Sequence, residues 1–201
     1  MPTEVGGVRV PEGAAAERAL LVCAEYADRA LYHHSLRAYF FGALWAGERG
    51  LDHDRELFFV SALLHDLALT PPFDSHSLAF EEAGGHLARV FTAGLGWPVE
   101  RRDRAAEVIV LHMRDDVAPE TDPESRMLQV GTTADVSGGG LEDFDPAFRR
   151  ALVDAYPRLG FAAAFVRLVE DQAARKPQCA AGRYVASGMT DRVMANGLDR
   201  L

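Results

Sequence analysis

The chain has few of the features that mark secreted or membrane proteins. It carries only two cysteines, too few for a disulfide framework, which favours a reducing compartment and a cytoplasmic location. No stretch approaches the roughly 18 uninterrupted apolar residues of a membrane-spanning helix. The first residues lack the basic and apolar regions of a signal peptide, so none is expected.

Positive charge is also scarce. The sequence has 21 basic and 30 acidic residues, and its formal net charge is -9 at pH 7. A binder of nucleic acid or of an anionic membrane needs a basic face, so neither partner is expected. Lys176 is the one lysine among the basic residues. A small-molecule substrate remains as the expected partner.

Strand patterns are nearly absent, whereas apolar residues recur at helical spacing through most of the chain. We therefore predict one all-α domain over residues 1–201, a compact bundle of about seven to nine helices. Small-residue helix faces would allow a homodimer but do not require one. The predicted helices lie over residues 14–31, 35–50, 52–68, 74–96, 99–113, 124–140, 146–156 and 160–176.

The segment SALLHDLALT, residues 61–70, places an imidazole and a carboxylate on an apolar element, as His65 and Asp66. Ionised carboxylates are costly to bury unless they are paired or bind a metal. Pro71 and Pro72 must end the helix, so both polar side chains can face a cleft. Imidazole with carboxylate suits Fe, Mn, Zn, Co or Ni better than Ca or Mg.

Two ligands make a poor metal site, so further ligands must come from elsewhere in the chain. His34 can supply a second imidazole, and its neighbour His33 points about 100° away around a helix. Asp135 is an isolated acid among small and apolar residues, and it is a second carboxylate ligand, a helix cap or half of a buried salt bridge. His53 and His76 lie in polar segments where helices are predicted to start, and they are expected to be surface or helix-capping residues.

The order His34, His65-Asp66, Asp135 on a helical chain resembles the HD-domain superfamily of metal-dependent hydrolases. The resemblance is closest to its cyanamide hydratase-like branch and covers about residues 30–140, with residues 141–201 completing the fold. The tripeptide KPQ at Lys176 also has a counterpart in that branch. The segments that carry the resemblance, in chain order, are HSLRAYFFG, ALLHDLALT, FEEAGG, VIVLH and TTADVSG.

The resemblance implies that four residues hold one divalent transition metal and leave positions open for water and substrate. These ligands would be His34, His65, Asp66 and Asp135. Such a metal lowers the pKa of a bound water toward about 7. Asp66 would also be placed to take a proton from that water, so the shared chemistry of the family is water activation.

The resemblance also implies roles around the metal. His112 would face the same cavity as a substrate binder or proton shuttle. Arg37 would orient the metal ligands by pairing with a metal-bound carboxylate or with Glu81, or would stabilise a developing charge in catalysis. Lys176 would bind substrate or stabilise a developing charge.

A histidine follows the glycine pair of FEEAGG, where the branch is expected to carry an apolar residue. This His86, together with His112, has the order of the two extra histidines by which some HD proteins bind a second metal, commonly as a di-iron centre. A histidine on the helix surface is the alternative. The pair Gly84-Gly85 costs helix stability, so we predict that it permits close helix packing or backbone approach.

Hydration of a small nitrile-like carbon such as that of cyanamide, giving a urea or an amide, is the leading functional hypothesis. Hydrolysis of a nucleotide phosphomonoester, oxygenase chemistry at a dinuclear site, and a non-catalytic ligand-binding module are the alternatives. Few cations flank the ligands, residues 114–124 look like a solvated loop, and there is no Walker-type loop, which favours a weakly charged substrate. The aromatic runs at residues 39–41 and 58–59 line a pocket or the core.

Overall fold

The computed structural model describes residues 2–114 and 116–201 and is almost entirely helical. An N-terminal hairpin pairs two antiparallel strands, β1 (Glu4–Val5) and β2 (Val8–Arg9). The described residues also form ten α-helices, which confirms the all-α class and slightly exceeds the predicted number. The helices are α1 (Ala14–Tyr26), α2 (Arg29–Glu48), α3 (Arg55–Leu64), α4 (Phe80–Gly94), α5 (Val99–Leu111), α6 (Pro123–Ser137), α7 (Pro146–Ala155), α8 (Phe161–Arg175), α9 (Ala180–Ala186) and α10 (Met189–Met194).

Several helix boundaries differ from the predicted ones. The predicted helix over 14–31 is interrupted, because Asp28 accepts a 2.9 Å hydrogen bond from the backbone N–H of Leu31 and caps a new helix, α2. The irregular tail contains two short helices, α9 and α10. Within the described ranges, no helix combines the length and hydropathy that crossing a membrane requires.

The central helix is α2, which packs against α3, α6 and α8. Its aromatic run is buried, and the rings of Tyr39 and Phe59 lie 4.8 Å apart. The aromatic residues at 39–41 and 58–59 therefore fill the core, and they are not among the residues that line the cavity described below.

The glycine pair of α4 lies where neighbouring backbone comes close, as predicted. A Cβ atom on Gly84 would be 3.1 Å from the carbonyl oxygen of His65, at the end of α3. One on Gly85 would be 3.2 Å from the carbonyl oxygen of Ala106 on α5. The two glycines thus hold α4 against both α5 and the corner that carries the His-Asp pair.

The helices α2 and α6 approach each other closely at a glycine. A Cβ atom on Gly131 of α6 would be only 2.0 Å from the carbonyl oxygen of Ala38 on α2, so only glycine fits there. This contact brings together the helices that carry His34 and Asp135. The distance between those two side chains therefore depends on the absence of a Cβ atom at position 131.

Replacement of Gly131 by alanine should destabilise the protein by about 3 kcal/mol or more, because the methyl group meets rigid backbone. Gly47 is the matched control, since it lies in α2 and a Cβ atom added there would meet no atom within 4 Å. Gly47→Ala should stabilise the helix by about 0.5–1 kcal/mol. Urea unfolding measures both, and equal stabilities for the two variants would contradict the close approach.

Candidate metal centre

Three buried side chains converge on one point in the protein. The Nε2 atoms of His34 and His65 lie 3.2 Å apart, and the Oδ2 atom of Asp66 is 3.4 Å from the first and 3.2 Å from the second. Among the described residues, this is the one set of three or more His, Cys, Asp or Glu whose ligand atoms all lie within 4.8 Å of one another.

The end of α3 explains how two adjacent residues can point into the same space. The helix stops at Leu64, His65 is its C-terminal cap, and a 3-10 turn follows over Leu67–Leu69. Asp66 has φ -104° and ψ 2°, outside regular helix. Both side chains therefore lean toward His34 of α2, while His33 turns away and its Nδ1 lies 2.8 Å from the carbonyl oxygen of Pro157.

The hydrogen bonds assign the tautomer of both histidines. Nδ1 of His65 lies 2.8 Å from the carbonyl oxygen of Ala62, which can only accept, so Nδ1 carries the proton. Nδ1 of His34 likewise donates to Oδ2 of Asp135 at 2.7 Å. The two Nε2 lone pairs therefore face each other and Oδ2 of Asp66, which has no hydrogen-bond partner among the described residues. Three converging lone pairs need a cation.

The spacing of the three atoms suits a divalent transition metal. Tetrahedral coordination with bonds of about 2.0–2.2 Å separates ligand atoms by about 3.3–3.6 Å. The distances here run from 3.2 to 3.4 Å. Imidazole and carboxylate donors accept Zn, Fe, Mn, Co or Ni, and the donor set alone selects none of these ions.

Electrostatics keep the carboxylate ionised. Burial opposes the charged form of Asp66, but the neighbouring His65 and His34 outweigh it and hold the pKa of Asp66 well below its usual range. Burial also opposes a charged His34, yet Asp135 and Asp66 raise the pKa of His34. A proton can therefore occupy the space between the ligands, and metal and proton compete for it.

Asp135 is held beside the three ligands by two arginines. Its Oδ1 accepts from Nε of Arg37 at 2.6 Å and from Nη1 of Arg158 at 3.1 Å. Burial opposes its ionisation, but these guanidinium groups lower the pKa of Asp135 well below its usual range. The carboxylate orients His34 through Nδ1. Asp135 lies outside the three-residue cluster, on the Nδ1 side of His34, so its direct coordination of the metal stays a prediction.

Arg37 pairs with the first of the two partners predicted for it, Asp135, and not with Glu81. Its Nη2 reaches Oδ2 of Asp135 at 2.8 Å, and its Nη1 donates to the carbonyl oxygen of Tyr156 at 2.9 Å. The side chain is fully buried and does not line the cavity at the ligands. Arg37 therefore positions Asp135, as the predicted pairing requires, and its part in catalysis stays a prediction.

Arg158 has no signal in the sequence, yet the structure places it at the centre. Its buried guanidinium also donates to the backbone oxygen of Asp135 at 2.7 Å and to Oδ1 of Asp199 at 2.5 Å. Nδ2 of Asn196 donates to the same backbone oxygen at 2.8 Å. Asn196 directly, and Asp199 through Arg158, therefore connect the C-terminal segment to the end of α6 by hydrogen bonds. No local pattern could reveal these contacts, which join distant segments.

A cavity of about 720 Å³ opens onto the ligands. Its walls are partly apolar and partly polar, and they come from both halves of the chain. Besides His34, His65 and Asp66, the lining residues are His112, Met113, Arg114, Thr132, Thr133, Val136, Phe165, Ala180, Arg183 and Tyr184.

His112 lies in the wall of this cavity, at the end of α5. Its Nδ1 hydrogen-bonds the carbonyl oxygen of Ile109, so its Nε2 carries a lone pair, 3.8 Å from Oδ1 of Asp66. Burial lowers the pKa of His112 to about 4. The side chain is therefore a neutral base near neutral pH.

His86 lies away from the ligands, and this position contradicts the hypothesis of a dinuclear site. Gly84 and Gly85 occupy the buried side of α4, which turns His86 to solvent, outside the cavity lining. It cannot join His112 around a second metal. His76 is also exposed, and His53 is partly buried with Nδ1 3.0 Å from the carbonyl oxygen of Leu51.

Lys176 is likewise outside the cavity at the ligands. Its Nζ donates to the carbonyl oxygens of Ser75 and Leu78, both at 2.7 Å. The residue lines a smaller neighbouring cavity of about 410 Å³. Lys176 therefore ties the end of α8 to the segment before α4. This corrects its predicted role in substrate binding at the metal.

Residues 114–124 are more than the solvated loop predicted, although Asp115 lies outside the described residues. Arg114 lines the cavity. Glu124, in α6, is buried and accepts a 2.7 Å hydrogen bond from the backbone N–H of Asp54. Arg114 therefore places a cation at the cavity, contrary to the predicted scarcity of cations around the ligands.

Comparison with known proteins agrees with this geometry. The HD domain family model matches residues 31–133, which include His34 and the His65-Asp66 pair and end just before Asp135. The chain belongs to the HD domain family. This HD protein is 30% identical, over 162 residues, to cyanamide hydratase DDI2 and cyanamide hydratase DDI3 of Saccharomyces cerevisiae. Each match covers 76% of this chain and 72% of the relative, and together they identify a metal-dependent hydrolase or hydratase.

Replacement of His65 or Asp66 by alanine should abolish metal binding while the protein stays folded. A metal at about 1,000 times its Kd stabilises the folded state by about 4 kcal/mol, and both variants should lose that gain. Metal content per chain and melting temperature with and without metal test this expectation. His53→Ala is the control, and normal metal binding by either ligand variant would refute the assignment.

Replacement of Asp199 by asparagine should weaken metal binding about tenfold, because it loosens Arg158 and through it Asp135. Loss of outer partners of metal ligands typically costs 10- to 100-fold in affinity. Asp191→Asn on α10 is the control, since that side chain is exposed. Titration with a competing chelator measures the metal affinity of both variants. Equal affinities would show that the contact between Arg158 and Asp199 does not act on the metal centre.

Proposed function

We propose that this HD protein hydrates a cyanamide- or nitrile-type carbon and releases a urea or an amide. One observation carries the proposal: three converging metal ligands open into a cavity whose wall holds the neutral base His112, 3.8 Å from Asp66. The two proteins named cyanamide hydratase, each 30% identical to this chain, support this choice of substrate.

The residues divide the work between holding the metal and moving protons. His34, His65 and Asp66, with Asp135 as the proposed fourth ligand, would hold a divalent metal that supplies a Lewis acid and an acidified water. Oδ2 of Asp66 belongs to the ligand cluster, whereas Oδ1 faces Nε2 of His112. Asp66 therefore lies between the ligand cluster and the base His112.

The reaction balances with His112 as the proton carrier. The water oxygen bonds to the nitrile carbon while one carbon–nitrogen π bond breaks. Nε2 of His112 accepts a proton from the water side and returns it to the nitrogen. The second water proton then moves from oxygen to nitrogen, which leaves a carbonyl group and an NH₂ group. Cyanamide would give urea, and a simple nitrile would give an amide.

Hydrolysis of a nucleotide phosphomonoester is the second candidate. Arg114 and Arg183 line the cavity, and guanidinium groups suit phosphate recognition. Oxygenase chemistry at a dinuclear site finds less support, because His86 faces solvent. A non-catalytic binding module would have no use for metal ligands that open into a cavity.

The remaining expectations belong to the same proposal. We infer one domain over residues 1–201, because the loop before α8 contributes Arg158 to the centre and α9 contributes Arg183 and Tyr184 to its cavity. Cys23 and Cys179 are free, which supports a reducing, cytoplasmic compartment.

The test is a substrate panel on protein loaded with Zn, Mn, Fe(II), Co or Ni. Cyanamide, acetonitrile and a nucleoside monophosphate are compared, with urea, amide and phosphate as the measured products. We expect metal-dependent urea formation that a chelator abolishes. Absence of urea and amide with every metal would overturn the proposal, and phosphate release would support the second candidate.

His112→Ala should retain the metal and lose turnover. General acid–base groups typically contribute about 10²- to 10⁴-fold to rate, so kcat should fall by that factor. Metal content should match the wild type, because His112 lies outside the three-atom cluster. His76→Ala, at an exposed position, is the control. Unchanged kcat in His112→Ala would remove the proton-carrier role.

A further inference from the structure

The cavity is much larger than the group that reacts in it. Its volume is about 720 Å³, whereas cyanamide has three non-hydrogen atoms and one water in the liquid occupies about 30 Å³. Cavities of about 300–1,000 Å³ typically enclose ligands the size of a drug. A cyanamide-type group at the metal ligands would therefore leave most of the space for the rest of a larger substrate.

The cavity wall shows where an elongated substrate would lie. Met113, Val136 and Phe165 provide apolar surface. Arg114 and Arg183 line both this cavity and the smaller one beside it, which none of the three metal ligands lines. Both arginines are exposed, whereas the ligands are buried. They therefore mark the outer part of the cavity, on the side away from the metal.

The four arginines around the centre form two pairs, which differ in burial and in their ion-pair partners. Arg37 and Arg158 are buried and bound to Asp135. Arg183 donates from Nη1 to the carbonyl oxygen of Gln178 at 3.1 Å, which uses one of its five N–H groups. Its guanidinium is thus not committed to a buried ion pair.

Arg114 is held only weakly by neighbouring acids. Its Nη2 is 3.2 Å from Oε1 of Glu82 in an exposed pair, and such pairs contribute little. It is also 3.7 Å from Oε1 of the buried Glu81. Burial raises the pKa of Glu81, which weakens its competition with an incoming anion. Arg114 can therefore exchange Glu82 for a ligand.

We propose that the substrate carries an anionic group, carboxylate or phosphate, that binds Arg114 and Arg183 while its reacting carbon lies at the metal ligands. The proposal rests on the function proposed above and names its substrate class. A guanidinium fork binds either anion through paired hydrogen bonds. The net charge of -9 does not oppose this, because one local pair of cations governs the outer cavity.

The test compares phenylcyanamide with its para-carboxy and para-phosphono derivatives on the metal-loaded protein. We expect kcat/KM for an anionic derivative to exceed that for the neutral compound by about tenfold at low salt. The ratio should fall as salt rises, because exposed charges are screened. The two derivatives distinguish a carboxylate from a phosphate.

Variants assign the effect to the arginines. Arg183→Gln and Arg114→Gln should each bring the anionic-to-neutral ratio close to one, and Glu82→Gln should raise it by freeing Arg114. Arg167→Gln, an exposed arginine of α8 outside the cavity lining, is the control. A wild-type ratio near one, or a ratio that neither arginine variant lowers, would overturn the proposal.

A binding measurement separates this proposal from the proposed function. Calorimetry compares phenylurea with para-carboxyphenylurea, which resemble reaction products and need no turnover to bind. Tighter binding of the carboxylate that Arg183→Gln abolishes would support the anion site even if no cyanamide were hydrated. Turnover of neutral cyanamides without any preference for the anionic compounds would retain the function and refute the anion site.

Discussion

The carboxylate of Asp135 is the interaction on which the centre depends. It accepts hydrogen bonds from His34 and from two buried guanidinium groups, those of Arg37 and Arg158. A buried carboxylate needs such partners, because removal of one member of a buried ion pair leaves an uncompensated charge in the interior. Since its partners come from α2 and from the loop before α8, the carboxylate of α6 joins three parts of the chain. The orientation of His34 follows from that network.

The helices around this carboxylate pack through glycine–backbone contacts that leave no space for a larger side chain. Gly131 lets α6 touch the backbone of α2, and Gly84 lets α4 touch the backbone at His65. Close packing of this kind transmits displacement, because protein interiors have little free volume. The metal ligands therefore lie on rigid elements, as a preorganised site requires. The outer cavity differs, because its arginines are exposed and only lightly engaged.

Much of the centre can be predicted because its signals are local. Helical geometry allows only one of His33 and His34 to face the site, and a glycine pair marks close packing. The two prolines predict that a helix ends near His65 and Asp66, although α3 already ends at Leu64. Other features have no local signal. Arg158 looks like any arginine until the fold places it beside Asp135, and His86 has suitable spacing in sequence but the wrong side of its helix.

The sequence by itself determined the helical class and the family, and three of the four predicted ligands converge in the structure, because helix periodicity and motif order can be read along the chain. Only the tertiary structure decided which arginines bind Asp135, which line the outer cavity, and that Asn196 and Asp199 take part in the centre. Those features join residues far apart in the chain, such as Arg37 with Asp135 and Arg158 with Asp199. The distances that create them come from helix packing, which no local pattern encodes.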